Sequence, residues 1–98
     1  MFAKSYCPHS KKAKALFQQM TEELADLDIA ITIVDLDLLP GDDGAQIQKA
    51  LMERTGQRTV PNVFVAGKHI GGNDDTQALA ASGELKDMLV TIASSRKL

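Results

Sequence analysis

Residues 4–12 read Lys4-Ser5-Tyr6-Cys7-Pro8-His9-Ser10-Lys11-Lys12 and contain the only cysteine of the 98-residue chain. This cysteine falls where a short apolar run ends and a helical pattern begins. The first backbone N–H groups of a helix lack intrahelical partners and carry the positive end of its dipole, so they favour a thiolate. Cationic side chains close by act in the same direction. The position therefore predicts a reactive thiol rather than a small buried hydrophobe.

A strand-helix-strand unit surrounds this cysteine. Apolar residues recur at three- and four-residue steps after Ser10 and predict the buried face of an amphipathic helix. They are Ala13, Leu16, Phe17, Met20 and Leu24. Residues 29–36 are rich in β-branched side chains and predict a buried strand parallel to the first. The first strand has only residues 1–4 available, so either it is unusually short or the chain begins later than the natural protein does.

The middle of the chain predicts a helix followed by a hairpin. Turn residues at 40–44 include aspartates that can cap a helix ending at Gly56. Residues 60–65 and 69–70 predict two strands joined by a tight turn. We interpret His69, in the second of these strands, as a structural residue.

Two helices complete the predicted fold. Aspartates after Gly71-Gly72 can cap the first helix, and Gly83 separates it from the last. The order of elements predicts one α/β domain over residues 1–98, in which helices flank a four-stranded mixed sheet. A crossover helix joins two parallel strands of that sheet, and the hairpin supplies an antiparallel edge.

Composition excludes several classes of function. The chain has 11 Lys and Arg against 13 Asp and Glu, a formal net charge of -2, which leaves no basic stripe for nucleic acid. No apolar run reaches the length that spans a bilayer, so we expect no membrane association. A lone cysteine allows neither an intrachain disulfide nor a multi-thiolate metal site, which favours a reducing compartment such as the cytoplasm. That localisation holds unless a targeting segment has been removed from a longer precursor.

Three segments together resemble a glutaredoxin, a family with the thioredoxin fold. They are Lys4-Ser5-Tyr6-Cys7-Pro8, Thr55-Gly56-Gln57-Arg58-Thr59-Val60-Pro61-Asn62-Val63-Phe64 and Gly67-Lys68-His69-Ile70-Gly71-Gly72. The resemblance covers nearly the whole sequence and implies a thioredoxin-like fold with a Cys-Pro-His-Ser active site. It implies a glutathione-disulfide oxidoreductase that uses glutathione as co-substrate and acts as a monomer on glutathionylated proteins.

The resemblance also implies a glutathione groove beside Cys7. Pro61 resembles the family's cis-proline, which holds the backbone N–H and C=O of Val60 toward the thiol. In that position the Val60 backbone pairs with the cysteinyl unit of glutathione. Thr59 belongs to the same wall of the groove, and Tyr6 is implied as a further glutathione contact.

Glutathione carries two carboxylates and an α-ammonium, so its groove needs donors at one end and a mixed site at the other. The resemblance assigns the glycyl carboxylate to Lys4 and Gln48, with Arg58 adding to the positive end. At the other end, backbone N–H groups at a helix N-terminus receive the γ-glutamyl carboxylate, and aspartates pair with the ammonium. The residues implied there are Gly72, Asp74 and Asp75. The alternative for these side chains is an ordinary surface or capping role.

The residues after the thiol modulate it. Ser10 stands where many glutaredoxins have a second cysteine, so the cycle that needs a resolving thiol cannot run. What remains is a monothiol cycle through a Cys7-glutathione disulfide, in which the Ser10 hydroxyl can stabilise the thiolate. Ser10 is either the native residue or a replaced cysteine. His9 either tunes the thiol or is a solvated side chain, and Pro8 stiffens the first helical turn.

A second function stands beside the enzyme. Some glutaredoxins with one active-site cysteine form dimers that bind an iron–sulfur cluster through that thiolate and a glutathione thiol. This chain lacks the Cys-Gly-Phe-Ser sequence and the loop insertion of the dedicated cluster carriers, and it has Pro8 after the thiol. We therefore expect the enzyme rather than the cluster-binding dimer, with no metal held by the chain itself.

Overall fold

The computed structural model describes residues 1–96; residues 97 and 98, which the single-domain prediction includes, lie outside the described residues. The strands are β1 (Phe2–Ala3), β2 (Val34–Asp35), β3 (Val63–Val65) and β4 (Lys68–Gly71). The helices are α1 (Pro8–Glu23), α2 (Asp43–Thr55), α3 (Asn73–Ser82) and α4 (Glu84–Arg96), and a short 3-10 helix, Leu36–Leu38, follows β2. This is the predicted order of strands and helices.

The strands lie side by side in the order β2-β1-β3-β4. β1 is parallel to β2, and β3 is antiparallel to β4. An antiparallel bridge between Phe2 and Asn62 joins the two pairs through backbone hydrogen bonds of 2.9 and 2.8 Å. The predicted mixed sheet, with its parallel crossover and its antiparallel hairpin, is therefore confirmed, although its strands are short.

The predicted buried strand over residues 29–36 is wrong for most of its length. Only Val34–Asp35 pairs with β1, and residues 30–33 are exposed. The amine of Met1 donates to the Thr32 carbonyl at 2.8 Å, but β1 itself does not extend along this segment. β-Branched residues form a strand only where a neighbouring strand forms hydrogen bonds with their backbone N–H and C=O groups. An apolar cavity of about 250 Å³ lies here instead, between this segment and β3.

Proline and cysteine set the boundaries near the site. α1 begins at Pro8, directly after Cys7 as predicted, because Cys7 takes the N-cap position and proline is well suited to the first helical residue. The third strand was predicted to begin at residue 60 but begins at Val63. Pro61 has no N–H to donate to a strand ladder, so the residues around it form a loop.

The start of α2 differs from its prediction in one detail. Asp42 takes the N-cap position, but its carboxylate accepts from the Gln46 amide at 2.7 Å and caps no backbone N–H. The predicted capping role of Asp42 is therefore wrong. Gly44 packs directly on the Leu36 carbonyl, where a Cβ would overlap it, and Gly56 ends the helix in the left-handed conformation, as predicted.

The hydrophobic core joins helices α1 and α4 to strand β3. Its fully or almost fully buried members are Phe17, Met20, Val63, Val65, Leu85 and Leu89. The buried stripe predicted for α1 is confirmed, since Phe17 and Met20 lie in the core and Leu16 and Leu24 pack against it. This packing fixes the N-terminus of α1 relative to the loop before β3.

Candidate active site

Cys7 occupies the N-cap position of α1. Its carbonyl accepts from the Lys11 N–H at 3.0 Å, and its own N–H donates to the Lys4 carbonyl at 3.2 Å, which closes a turn over residues 4–7. The thiol is half-buried. It is therefore held by the backbone on both sides and still reachable from solvent.

The surroundings of Cys7 lower the pKa of its thiol below the ordinary value. Desolvation is the largest single influence and raises the pKa, but several favourable interactions together outweigh it. These come from the backbone N–H and hydroxyl of Ser10, the backbone N–H of His9 and the charge of Lys4. The helix N-terminus thus favours the thiolate, which is the nucleophilic form.

Ser10 is 0% exposed, and its hydroxyl interacts both with the thiol and with the preceding turn. Its Oγ accepts from the Lys4 N–H at 3.3 Å, and the same hydroxyl helps to lower the pKa of Cys7. A hydroxyl has one hydrogen and two lone pairs, so it can accept from the backbone and donate to the sulfur together. Ser10 therefore stabilises both the turn and the thiolate.

The loop before β3 faces the thiol. The Sγ atom of Cys7 lies 3.8 Å from the carbonyl oxygen of Val60. The Val60–Pro61 peptide bond is cis, as the sequence resemblance implies, and Pro61 is buried. The backbone of Val60 is therefore next to the sulfur.

A groove of about 360 Å³ runs beside this loop. Its walls come from the first turn of α1, the loop before β3 and the start of α3. The lining residues are His9, Gln57, Thr59, Val60, Pro61, Gly72, Asn73, Asp74 and Asp75. The structure thus brings together seven of the fourteen predicted site residues in this groove, although they come from three distant parts of the sequence.

Helix α3 presents its N-terminus to the groove. Gly72 is the N-cap residue, and the carboxylate of Asp75 accepts from its N–H at 3.3 Å. Gly71 has a φ of 127° and lies so close to the Asp75 carboxylate that a Cβ would overlap it. The predicted capping by an aspartate is confirmed for Asp75, while Asp74 is exposed at the groove.

Two other predicted residues lie together but outside this groove. The side-chain amide of Gln48 donates to the Arg58 carbonyl at 2.8 Å. Both residues line a second depression on the outer face of α2, which they share with Ala45, Lys49, Met52 and Glu53. Arg58 directly precedes the groove residue Thr59, so this polar surface adjoins the groove along the chain.

The remaining predicted residues surround the thiol. Lys4 is half-buried and acts on Cys7 through its charge. Tyr6 is 65% exposed, and Pro8 is exposed at the first turn of α1. None of these three lines the groove.

Sequence reasoning missed three residues that shape the site. Gln57 and Asn73 line the groove, and Asp37 holds the turn before Cys7. The Asp37 carboxylate accepts from the Ser5 N–H at 2.8 Å and also from the Ser5 hydroxyl. Gln57 lies within the second segment that resembles the family, but its residue type alone did not indicate a functional role. Asp37 carried no signal, because its partner lies 32 positions away along the chain.

The Ser5 contacts predict an acid-sensitive tether. The hydroxyl of Ser5, followed by its backbone N–H, lowers the pKa of Asp37. A carboxyl whose pKa is lower in the folded state stabilises the fold above its unfolded pKa and loses this contribution as pH falls through the folded pKa. Replacing Asp37 with Asn should therefore lower the free energy of unfolding at neutral pH and have little effect in acid. Urea titrations at both pH values measure this difference.

The control is Asp26→Asn, at another exposed aspartate, which should show no such pH dependence. An equal loss of stability at both pH values for Asp37→Asn would contradict the tether.

Within residues 1–96, no group of three or more His, Cys, Asp or Glu side chains is arranged to hold a metal ion. None of the helices in that range is both long and apolar enough to cross a bilayer.

A lowered-pKa thiol at a helix N-terminus, faced by a cis-proline loop on this strand order, defines a thioredoxin-like redox protein. The model of the Glutaredoxin family matches residues 1–70. The chain belongs to the glutaredoxin family, and it is an oxidoreductase of that class.

Curated relatives support this assignment. Glutaredoxin-C6 of Oryza sativa subsp. japonica is 46% identical over 100 residues, which cover 99% of this chain and 81% of the relative. Glutaredoxin-C4 of Arabidopsis thaliana is 48% identical over 89 residues, covering 91% of this chain and 59% of the relative. The chain therefore spans from about three fifths to four fifths of the length of these two relatives.

A solved structure matches the fold as well as the sequence. The crystal structure of a buckwheat glutaredoxin-glutathione complex has a TM-score of 0.79 and 41% identity, and the match covers 92% of this chain and 74% of that one. The fold is therefore thioredoxin-like, with helices flanking a small mixed sheet, as predicted.

Proposed function

We propose that this chain is a glutathione-dependent thiol-disulfide oxidoreductase that reduces protein–glutathione and small mixed disulfides by a monothiol cycle. The observation that carries the proposal is the Cys7 thiol, whose pKa is lowered and whose Sγ lies 3.8 Å from the Val60 carbonyl. Val60 also lines the groove, so a disulfide bound there lies within reach of the sulfur.

The cycle consists of two thiol–disulfide exchanges. The Cys7 thiolate attacks the glutathione sulfur of a mixed disulfide, the S–S bond breaks, and the substrate leaves as a thiolate that takes a proton from solvent. The thiolate of a second glutathione then attacks the glutathionyl sulfur on Cys7. Glutathione disulfide is released and the Cys7 thiolate is restored. Over the whole cycle, the mixed disulfide is reduced to the substrate thiol while glutathione is oxidised to glutathione disulfide. Ser10 serves this cycle as a hydrogen-bond donor and not as a resolving group.

Glutathione is the ligand that fits the surrounding chemistry, and the buckwheat relative was crystallised in complex with it. We assign its γ-glutamyl end to the N-terminus of α3, where Asp74 and Asp75 line the groove. We assign its glycyl carboxylate to the side of Lys4, Gln48 and Arg58. The Gln48 amide nitrogen has two hydrogens, and its bond to the Arg58 carbonyl uses one of them.

Replacing Lys4 with alanine should lower kcat/KM for glutathione more than it lowers the reactivity of the Cys7 thiol. The substitution removes a cation from the end of the groove assigned to the glycyl carboxylate. Because the contact is only partly buried, its loss should lower kcat/KM for glutathione by about threefold to tenfold. Steady-state turnover of a glutathionylated peptide at varied glutathione measures it. Lys86→Ala, at an exposed lysine on α4, is the matched control. Unchanged glutathione kinetics in Lys4→Ala would refute the assignment.

The direct test of the proposed function is turnover itself. Without glutathione, wild-type protein should release at most one peptide per protein molecule from a glutathionylated peptide, and repeated turnover should require glutathione. We further propose that the chain acts as a monomer in the cytoplasm. Purification without oxygen and with glutathione should then give a colourless monomer, whereas a brown dimer would favour the iron–sulfur cluster function instead.

A further inference from the structure

Gln57 holds the backbone on both sides of Val60. Its side-chain amide nitrogen donates to the Thr59 carbonyl at 3.1 Å and to the Pro61 carbonyl at 3.0 Å. The amide nitrogen has two hydrogens, so one side chain supplies both bonds. Val60 lies between the two accepting residues, and its own carbonyl lies 3.8 Å from Cys7 Sγ. The Thr59–Val60 peptide unit cannot turn without breaking the first bond, and the Pro61–Asn62 unit cannot turn without breaking the second, so the backbone is held just before and just after Val60.

Gln57 is itself fixed to the end of α2. Its backbone N–H donates to the Thr55 hydroxyl at 3.1 Å, and that hydroxyl donates to the Leu51 carbonyl at 2.7 Å. The buried side chain of Asn62, just after the loop, donates to the same hydroxyl at 3.5 Å. The loop that faces the thiol is thus tied to the last turn of a helix, rather than to the thiol's own helix.

We propose that Gln57 is a positioning residue that sets the Val60 backbone for pairing with the glutathionyl part of the substrate. This inference rests on the proposed function, since it concerns the same groove. Gln57 acts through Val60 and not on the sulfur, because the interactions that lower the pKa of Cys7 come from Ser10, His9 and Lys4. Loss of Gln57 should therefore slow reactions that use the groove and spare reactions that need only the thiolate.

Two probes of wild-type and variant protein separate these effects. Iodoacetamide alkylates the thiolate without needing the groove, whereas a glutathionylated peptide must dock its glutathionyl group beside Val60. In Gln57→Ala, the rate constant with the peptide should fall about fivefold or more, as expected for the loss of two hydrogen bonds, while the alkylation rate stays within about twofold of wild type. Gln57→Glu keeps the size but cannot donate at neutral pH, so it should lose at least as much. Gln19→Ala, on the exposed face of α1, should match wild type with both probes.

The outcomes distinguish this inference from the function on which it rests. Wild-type rates with the peptide in both Gln57 variants would overturn the positioning role alone. An equal fall with both probes would also overturn it, because it would show a general disturbance of the thiol or the fold. A wild-type protein that alkylates normally but does not react with the glutathionylated peptide would overturn the proposed function and this inference together.

Discussion

Replacing Cys7 with serine should reduce turnover of a glutathionylated peptide to less than about a thousandth of the wild-type rate, with the fold intact. A serine hydroxyl stays protonated under conditions that ionise this thiol, so the nucleophile is lost. The fold should survive because the thiol is half-buried and the backbone contacts of residue 7, to Lys4 and Lys11, remain. Steady-state turnover gives the first result, and thermal unfolding followed by circular dichroism gives the second.

The control for this variant is Ala15→Ser, which introduces the same hydroxyl at an exposed position of α1 and should leave turnover unchanged. Glutathione-dependent turnover that persists in Cys7→Ser would mean that the catalytic assignment is wrong. Loss of both activity and cooperative unfolding would instead show that the thiol is needed for the fold, contrary to what its partial exposure indicates.

Replacing Ser10 with cysteine should convert the cycle from one thiol to two. The Ser10 hydroxyl already acts on the Cys7 sulfur, so a thiol at this position lies next to a glutathione adduct on Cys7. After oxidation with glutathione disulfide, wild type should accumulate the Cys7-glutathione adduct. Ser10→Cys should expel glutathione and contain mainly an internal disulfide. Intact mass spectrometry distinguishes the two products directly.

Ser94→Cys is the matched control, since it adds a second thiol at an exposed position on α4. That variant should keep the adduct on Cys7 and form no internal disulfide. If Ser10→Cys retained the glutathione adduct as wild type does, the neighbourhood of residues 7 and 10 would not support the mechanism. An unmodified wild type under the same oxidation would contradict the monothiol cycle itself.

Local patterns were enough to predict most of the fold. The apolar spacing through Phe17 and Met20 predicted α1, and Gly56 predicted the end of α2. These signals succeed because each depends on residues within one or two turns of a helix. The predicted strand over residues 29–36 failed because strand formation depends on a partner elsewhere in the chain. The composition of that segment contains no information about how far β1 extends.

In the candidate site, too, local features could be predicted from the sequence and features that depend on distant segments could not. Cys7 could be found from its neighbours, since the helix N-terminus that lowers its pKa begins at the next residue. The groove around it could be listed only through a family resemblance, because its walls come from three separate segments. Gln57 and Asp37 could not be assigned at all. Their importance lies in which carbonyl or N–H they reach, and that is a property of the folded backbone.

The most direct test of the central claim is to attach glutathione to Cys7 through a disulfide and to compare backbone amide NMR spectra before and after. The account predicts that, apart from the residues around the modified Cys7, the largest shift changes fall on residues 59–60 and 72–75, with little change at the apolar cavity beside residues 29–32. Failure of Cys7 to take up glutathione, or shift changes concentrated away from those two segments, would contradict a thiolate placed beside a glutathione groove.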